Sequence, residues 1–184
     1  MLIFVNGFPV VFIELKNSNI PVKNAYDKNL RDYLKDIPFL FHYNQICVLS
    51  NGRETRLGSF GAGYEFYFEW LKIDSEKENP DRENIAEQCV SLEYFIRGLC
   101  EPAKPLDYIE NFILFDRKRV RILAKSHQYL GVNNAFWAFE NRKELGGKLG
   151  VFWHTQGSGK SYSMVMLARK TKHKCTGNFT FLIV

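Results

Sequence analysis

The chain has 184 residues, 46% of them hydrophobic and 15% aromatic, enough for one ordinary domain or two small ones around an apolar core. That composition excludes a disordered or low-complexity chain. Lys and Arg number 25 against 20 Asp and Glu, and the net charge of +5 has the sign of a protein that meets phosphates.

The opening Met1-Leu2-Ile3-Phe4-Val5 is a short apolar run with no basic flank and no cleavage site, so neither a signal peptide nor a membrane span is expected. A cytoplasmic protein follows. Leu2 to Val5 and Pro9 to Leu15 are β-branched and aromatic runs on either side of Asn6-Gly7, a strong hairpin signal. Asn24 to Lys35 carries Ala25, Leu30, Tyr33 and Leu34 at helical spacings and must stop before Pro38. Gln45 to Leu49 reads as a strand, Ser50-Asn51-Gly52 as a turn and Thr55 to Leu57 as a further strand. An aromatic stretch, Tyr64 to Trp70, follows Gly58, Gly61 and Gly63. Asp74 to Glu83 turns charged and contains Pro80, which suggests a linker and a boundary between a unit over 1–84 and another over 85–184.

In the second unit, Ile85 to Leu99 reads as helix, Asn111 to Phe115 as a short apolar run, and Val120 to Phe139 as a long helical stretch interrupted by Gly131. Leu149 to Trp153 reads as a buried strand, Ser161 to Arg169 as the start of a helix, and Phe179 to Val184 as the next parallel strand, together a βαβ unit. The four cysteines, Cys47, Cys89, Cys100 and Cys175, stand singly without zinc-ligand spacing, so free thiols in a reducing compartment are expected.

Between the strand and helix lies His154-Thr155-Gln156-Gly157-Ser158-Gly159-Lys160-Ser161. Gly157 and Gly159 let backbone N–H groups turn inward around a phosphate, and the helix N-terminus adds its dipole. Lys160 then reaches the β and γ phosphates of ATP, and the Ser161 hydroxyl ligates Mg²⁺. His154 stands where the common pattern has its first glycine. The acidic motif that would position Mg²⁺ and water is expected beyond Val184.

Glu14-Leu15-Lys16 ends an apolar strand, with Glu14 and Lys16 on one face. Two readings are open at this point. One is an ion pair at a strand end. The other is nuclease chemistry, in which Glu14 and the Leu15 carbonyl hold a divalent cation and Lys16 orients the attacking water. Gln128, in Ser126-His127-Gln128-Tyr129, is on spacing alone a solvated helical glutamine, though its amide has the donor and acceptor to read an adenine edge.

Phe4-Val5-Asn6-Gly7 with Ile13-Glu14-Leu15-Lys16-Asn17, Phe39-Leu40-Phe41-His42-Tyr43-Asn44-Gln45, Ser50-Asn51-Gly52 and Trp153-His154-Thr155-Gln156-Gly157-Ser158-Gly159-Lys160-Ser161 together resemble the restriction (R) subunit of type I restriction-modification enzymes. The resemblance implies an α/β chain: a PD-(D/E)xK-type nuclease domain followed by the start of a RecA-like superfamily 2 helicase motor. It implies ATP-dependent translocation and cleavage of unmodified double-stranded DNA, with Mg²⁺ and ATP as cofactors, methylase and specificity subunits as partners, and no membrane.

It makes Glu14 a Mg²⁺ ligand and Lys16 the catalytic lysine. It sets the family's Gln-x-x-x-Tyr element on Asn29 to Tyr33, with Asn29 in place of Gln, and it gives Gln128 the adenine contact beside a nucleotide loop of Thr155 to Ser161. The family's first metal-binding Asp falls immediately ahead of Met1, so a partial metal site and a poor nuclease in isolation are expected.

Overall fold

In the computed structural model, which describes residues 1–115 and 120–182, five strands form one mixed sheet in the order of the chain. β1 (Leu2–Val5) and β2 (Phe8–Leu15) are an antiparallel hairpin. Its turn puts both Asn6 (φ 49°) and Gly7 (φ 83°) in the left-handed region, the requirement that makes Asn-Gly so frequent at this site. β3 (Ile46–Ser50) lies parallel to β2, after a crossover, and is buried along its length. β4 (Thr55–Gly58) and the two-residue β5 (Phe68–Glu69) continue antiparallel.

The crossover is the helical segment expected over 24–35, with one difference. It opens as a π-helical turn, Ala25–Leu30, and becomes α1 (Arg31–Asp36), stopping at the extended Ile37 before Pro38 as that proline requires.

Strand alternation divides the apolar side chains between two cores. Phe12, Cys47 and Leu49 face the crossover, packing with Val22, Ala25, Leu30 and Phe41. Cys47 is so enclosed that burial pushes its thiol up to about 12, and it stays protonated. Val11, Ile13, Ile46, Val48 and Leu57 face the other way and join Trp70, Phe95, Leu99, Tyr108, Tyr129, Val132 and Met166 in one cluster. This second core runs from the first strands to the last helix.

The helix expected over 85–99 is interrupted. α2 (Arg82–Glu87) is capped by Asp81, whose carboxylate accepts from Glu83 and Asn84 N–H, and α3 (Ser91–Leu99) starts afresh. The break lies at Cys89, at φ 56°. Just beyond it the Ser91 N–H is spent on the Gly52 carbonyl at 2.9 Å, and its hydroxyl bonds Thr55 Oγ1 at 2.9 Å. A tertiary bond to the sheet replaces the helical one.

α4 (Ala103–Asn111) follows, and then β6 (Ile113–Phe115) pairs antiparallel with β7 (Arg121–Leu123). The expectation of helix from Val120 onward is therefore corrected: 121–123 is a strand, and α5 begins at Ser126 and runs to Glu140. α6 (Lys160–Lys174) crosses α5 and α4, fixed by the buried Lys170 ammonium, which donates to Asp107 at 2.7 Å and Asn133 at 2.6 Å.

The βαβ expectation is also corrected, since neither 149–153 nor 179–182 is a strand; 183 and 184 lie outside the described residues. A strand needs a neighbour to satisfy its backbone, and no strand among the described residues pairs with either run. Val151 and Leu182 are accordingly 91% and 87% exposed, at the edge of an apolar groove of about 720 Å³ between α5 and α6. Among the described residues no helix is long and apolar enough to cross a membrane.

Candidate functional site

Two groups of the singled-out residues come together, one at each end of the chain. At the end of β2, Lys16 Nζ lies 3.2 Å from Glu14 Oε1 on the face toward the crossover, and the Lys16 N–H donates to the Ser50 carbonyl at 2.7 Å. Tyr33 of α1 packs its ring edge on Phe12, 5.6 Å between centroids, on that same face. Asn29, in the π-helical turn, is half-buried, and its side-chain amide has no hydrogen-bond partner among the described residues. Glu14, Lys16 and Tyr33 thus share one side of the sheet.

The carboxylate is ion-paired with a lysine, and no group of three or more metal-ligating side chains occurs among the described residues. One acid and one carbonyl are too few hard ligands to hold Mg²⁺ tightly, so the residues present do not fit that ion.

At the other end, Gly157 and Gly159 both adopt positive φ, 79° and 82°, and Gly159 opens α6. Backbone N–H groups of Gly159, Lys160 and Ser161 have no backbone acceptor among the described residues, which leaves them to an anion at the helix N-terminus. Ser158 Oγ is buried without a partner. The Lys160 ammonium donates to the carbonyls of His154 at 2.8 Å and Thr155 at 3.3 Å, turned back over the loop. Three N–H donors without a backbone acceptor among the described residues, the Lys160 ammonium and the buried Ser158 hydroxyl fit a bound phosphate chain. Thr155 and Gln156 form the exposed side of this loop, and the exposed Ser161 hydroxyl is available as one ligand of a phosphate-bound cation.

Gln128 is not a solvated side chain. It is 4% exposed, its Oε1 accepts from the Lys125 N–H at 2.9 Å, and its Nε2 donates to the carbonyls of Ser158 at 3.3 Å and Gly159 at 3.0 Å. Both amide protons are committed to the phosphate-binding loop, so in this arrangement the side chain fastens the loop and does not face a base. His127, beside it, donates from Nε2 to the Ser158 carbonyl at 3.1 Å. Burial pushes the His127 imidazole below its ordinary value against the opposing pull of that carbonyl, with His154, Lys125 and Lys72 adding to the decrease.

Replacing Gln128 by alanine removes a helix cap and the amide that ties α5 to the loop, leaving the Ser158 carbonyl to His127 and the Gly159 carbonyl to the Tyr162 and Ser163 N–H groups. A stability loss of about 1–2 kcal/mol is expected in denaturant unfolding. An unchanged midpoint would show that the amide contributes nothing.

Sequence reasoning missed Glu76 and the packing that requires a glycine at 131. His154 Nε2 donates to Glu76 Oε1 at 2.8 Å, and a side chain at Gly131 would come within 2.8 Å of the same oxygen. No local signal marks Glu76, because its contact with His154 closes across 78 residues.

Comparison with known proteins matches two segments of the chain. Residues 1–66 match the family described as type I restriction enzyme R protein N terminus, and residues 127–184 match the SWI2/SNF2 ATPase family. The type I restriction enzyme HindI endonuclease subunit of Haemophilus influenzae is 39% identical over 180 residues, covering 91% of this chain and 16% of that protein. The SsaAORF53P endonuclease subunit of Staphylococcus saprophyticus is 31% identical over 159 residues, covering 86% of this chain and 16% of its own length. The chain therefore spans about a sixth of the relatives it matches. With the hairpin and crossover sheet at one end and the glycine-rich loop at the other, it belongs to the endonuclease (R) subunit family of type I restriction enzymes.

Proposed function

We propose that this chain binds ATP at Gly157 to Ser161 and is the part of an ATP-dependent restriction endonuclease subunit that joins a PD-(D/E)xK-type nuclease unit, 1–84, to the start of a RecA-like motor, 85–184. The observation that carries the reading is the loop itself. Two glycines at positive φ, three N–H groups without a backbone acceptor among the described residues and the Lys160 ammonium converge at the first turn of α6. An anhydride phosphate chain bound there supplies the free energy that a motor converts into movement along DNA.

The chain's own residues do the binding. N–H groups of Gly159, Lys160 and Ser161 donate to phosphate oxygens, Lys160 exchanges two carbonyls for a stronger anionic acceptor, and Gln128 holds the loop closed behind them. The substrate on this reading is double-stranded DNA, and the partners are methylase and specificity subunits, in the cytoplasm; the likeness to type I restriction endonuclease subunits supports it. The likeness to restriction subunits over the first 66 residues favours a nuclease part over a translocase alone. There Lys16 orients the attacking water and Tyr33 supports the DNA-facing side of the sheet, with Asn29 one turn away.

Calorimetric titration of ATP into the chain tests the central claim. Lys160→Ala is expected to weaken binding by roughly 10- to 100-fold, the loss of one charge-assisted contact of about 1.5–3 kcal/mol. Equal affinity in both proteins would refute it. In a subunit of the relatives' length that carries this sequence, Glu14→Ala is expected to abolish DNA cutting while ATP hydrolysis persists. Surviving cleavage would leave Glu14 and Lys16 as an ion pair only.

A further inference from the structure

Glu76 lies in the charged segment between β5 and α2, yet its carboxylate receives the first residue of the phosphate-binding loop. His154 Nε2 donates to Oε1 at 2.8 Å, and Asn134 Nδ2 of α5 donates to Oε2 at 3.0 Å. Each oxygen is engaged by a different element, so this is not a solvated surface charge. The segment is itself held: Glu78 accepts the N–H groups of Ile73, Asp74 and Ser75 at 2.8, 2.8 and 2.7 Å, and the Lys72 ammonium donates to the Glu76 carbonyl.

α5 is shaped around the contact. A Cβ at Gly131 would meet Glu76 Oε1 and the Phe152 ring, both at 2.8 Å, which accounts for a glycine within a helix that otherwise disfavours it. On the loop side, His154 Nδ1 is buried and has no partner among the described residues, so Glu76 is the ring's polar anchor. The carbonyl of that same residue accepts from Lys160 Nζ at 2.8 Å. Wherever the His154 backbone is held, the phosphate-seeking ammonium is held with it.

We infer that Glu76 is a positioning residue for nucleotide binding: through His154 it fixes the entry of the loop in the geometry that receives the phosphates. The inference rests on the proposed ATP binding. A glycine at 154 could make no such contact, and the imidazole reaches the carboxylate by a charge-assisted hydrogen bond.

The test is titration of ATP into four proteins besides the unaltered chain: Glu76→Ala, Glu76→Gln, His154→Ala, and Glu76→Ala with His154→Ala. Glu76→Ala and His154→Ala are each expected to weaken binding about tenfold. Glu76→Gln, which keeps an acceptor for Nε2–H, is expected to stay within about threefold of the unaltered chain. The double variant is expected to be no weaker than either single one, because both remove the same contact.

Unchanged affinity in Glu76→Ala, or in His154→Ala should the first not fold, overturns the inference. So does a Glu76→Gln variant as weak as Glu76→Ala, or additive losses in the double variant, since a merely structural segment would give either result. Absence of ATP binding in the unaltered chain overturns the nucleotide reading itself, a distinct outcome.

Discussion

Trp70→Ala is expected to lower the free energy of unfolding by about 3–5 kcal/mol, the range for deleting a buried indole without local collapse. Trp70 is completely buried, with the rings of Tyr108 and Tyr129 each 5.8 Å away. α3 approaches it so closely that a Cβ at Gly98 would lie 2.2 Å from Nε1, and the Lys72 carbonyl would meet that Cβ at 2.9 Å. With the α3 backbone on one side and the Tyr108 and Tyr129 rings of α4 and α5 against it, the neighbours cannot move in to fill the space. Native domains are stable by only about 5–15 kcal/mol, so the variant stands near the threshold of folding.

Because Trp70 sits in the cluster that joins Ile13 and Val48 of the sheet to Tyr129 and Met166 of the last helices, the loss is expected across the chain. Denaturant unfolding followed by tryptophan-independent circular dichroism measures it. A loss below about 1 kcal/mol would mean that this core is far more plastic than its packing indicates.

Gly159→Val is the second large effect, expected on nucleotide binding. The residue sits at φ 82°, where a β-branched side chain is excluded, and backbone strain alone costs about 1–2 kcal/mol. A Cβ there would also come within 2.6 Å of Gln128 Nε2. A side-chain amide can usually swing away. This one is tied by its bonds to the Lys125 N–H and to the Ser158 and Gly159 carbonyls, so moving it releases the loop from α5.

Each 1.4 kcal/mol withheld from the binding-competent loop is about a factor of ten, and ATP affinity is expected to fall by at least ten- to a hundredfold. The global unfolding midpoint is expected to shift far less than in Trp70→Ala, since the loop lies outside the core. Calorimetry and thermal unfolding of the same sample separate the two. ATP affinity within twofold of the unaltered chain would show that the loop tolerates a side chain and is not a phosphate cradle.

Features governed by neighbours in sequence were legible in the residues alone. Asn6-Gly7 fixed the hairpin because the turn needs positive φ at both positions, and two-residue alternation put Glu14 and Lys16 on one face of β2. Gly157 and Gly159 announced the loop for the same backbone reason. Only the tertiary structure decided which distant groups meet: Tyr33 with Phe12 across the crossover, Gln128 with the Gly159 carbonyl, and Glu76 with His154.

It also decided against two strands that the apolar runs 149–153 and 179–182 suggested. A strand exists only when another backbone satisfies its amides, and apolar character by itself supplies no such partner. Backbone conformation is set by the residues within a turn or two, and so it can be read along the chain. Contacts closing across tens of residues depend on how whole elements pack, and no local pattern encodes them.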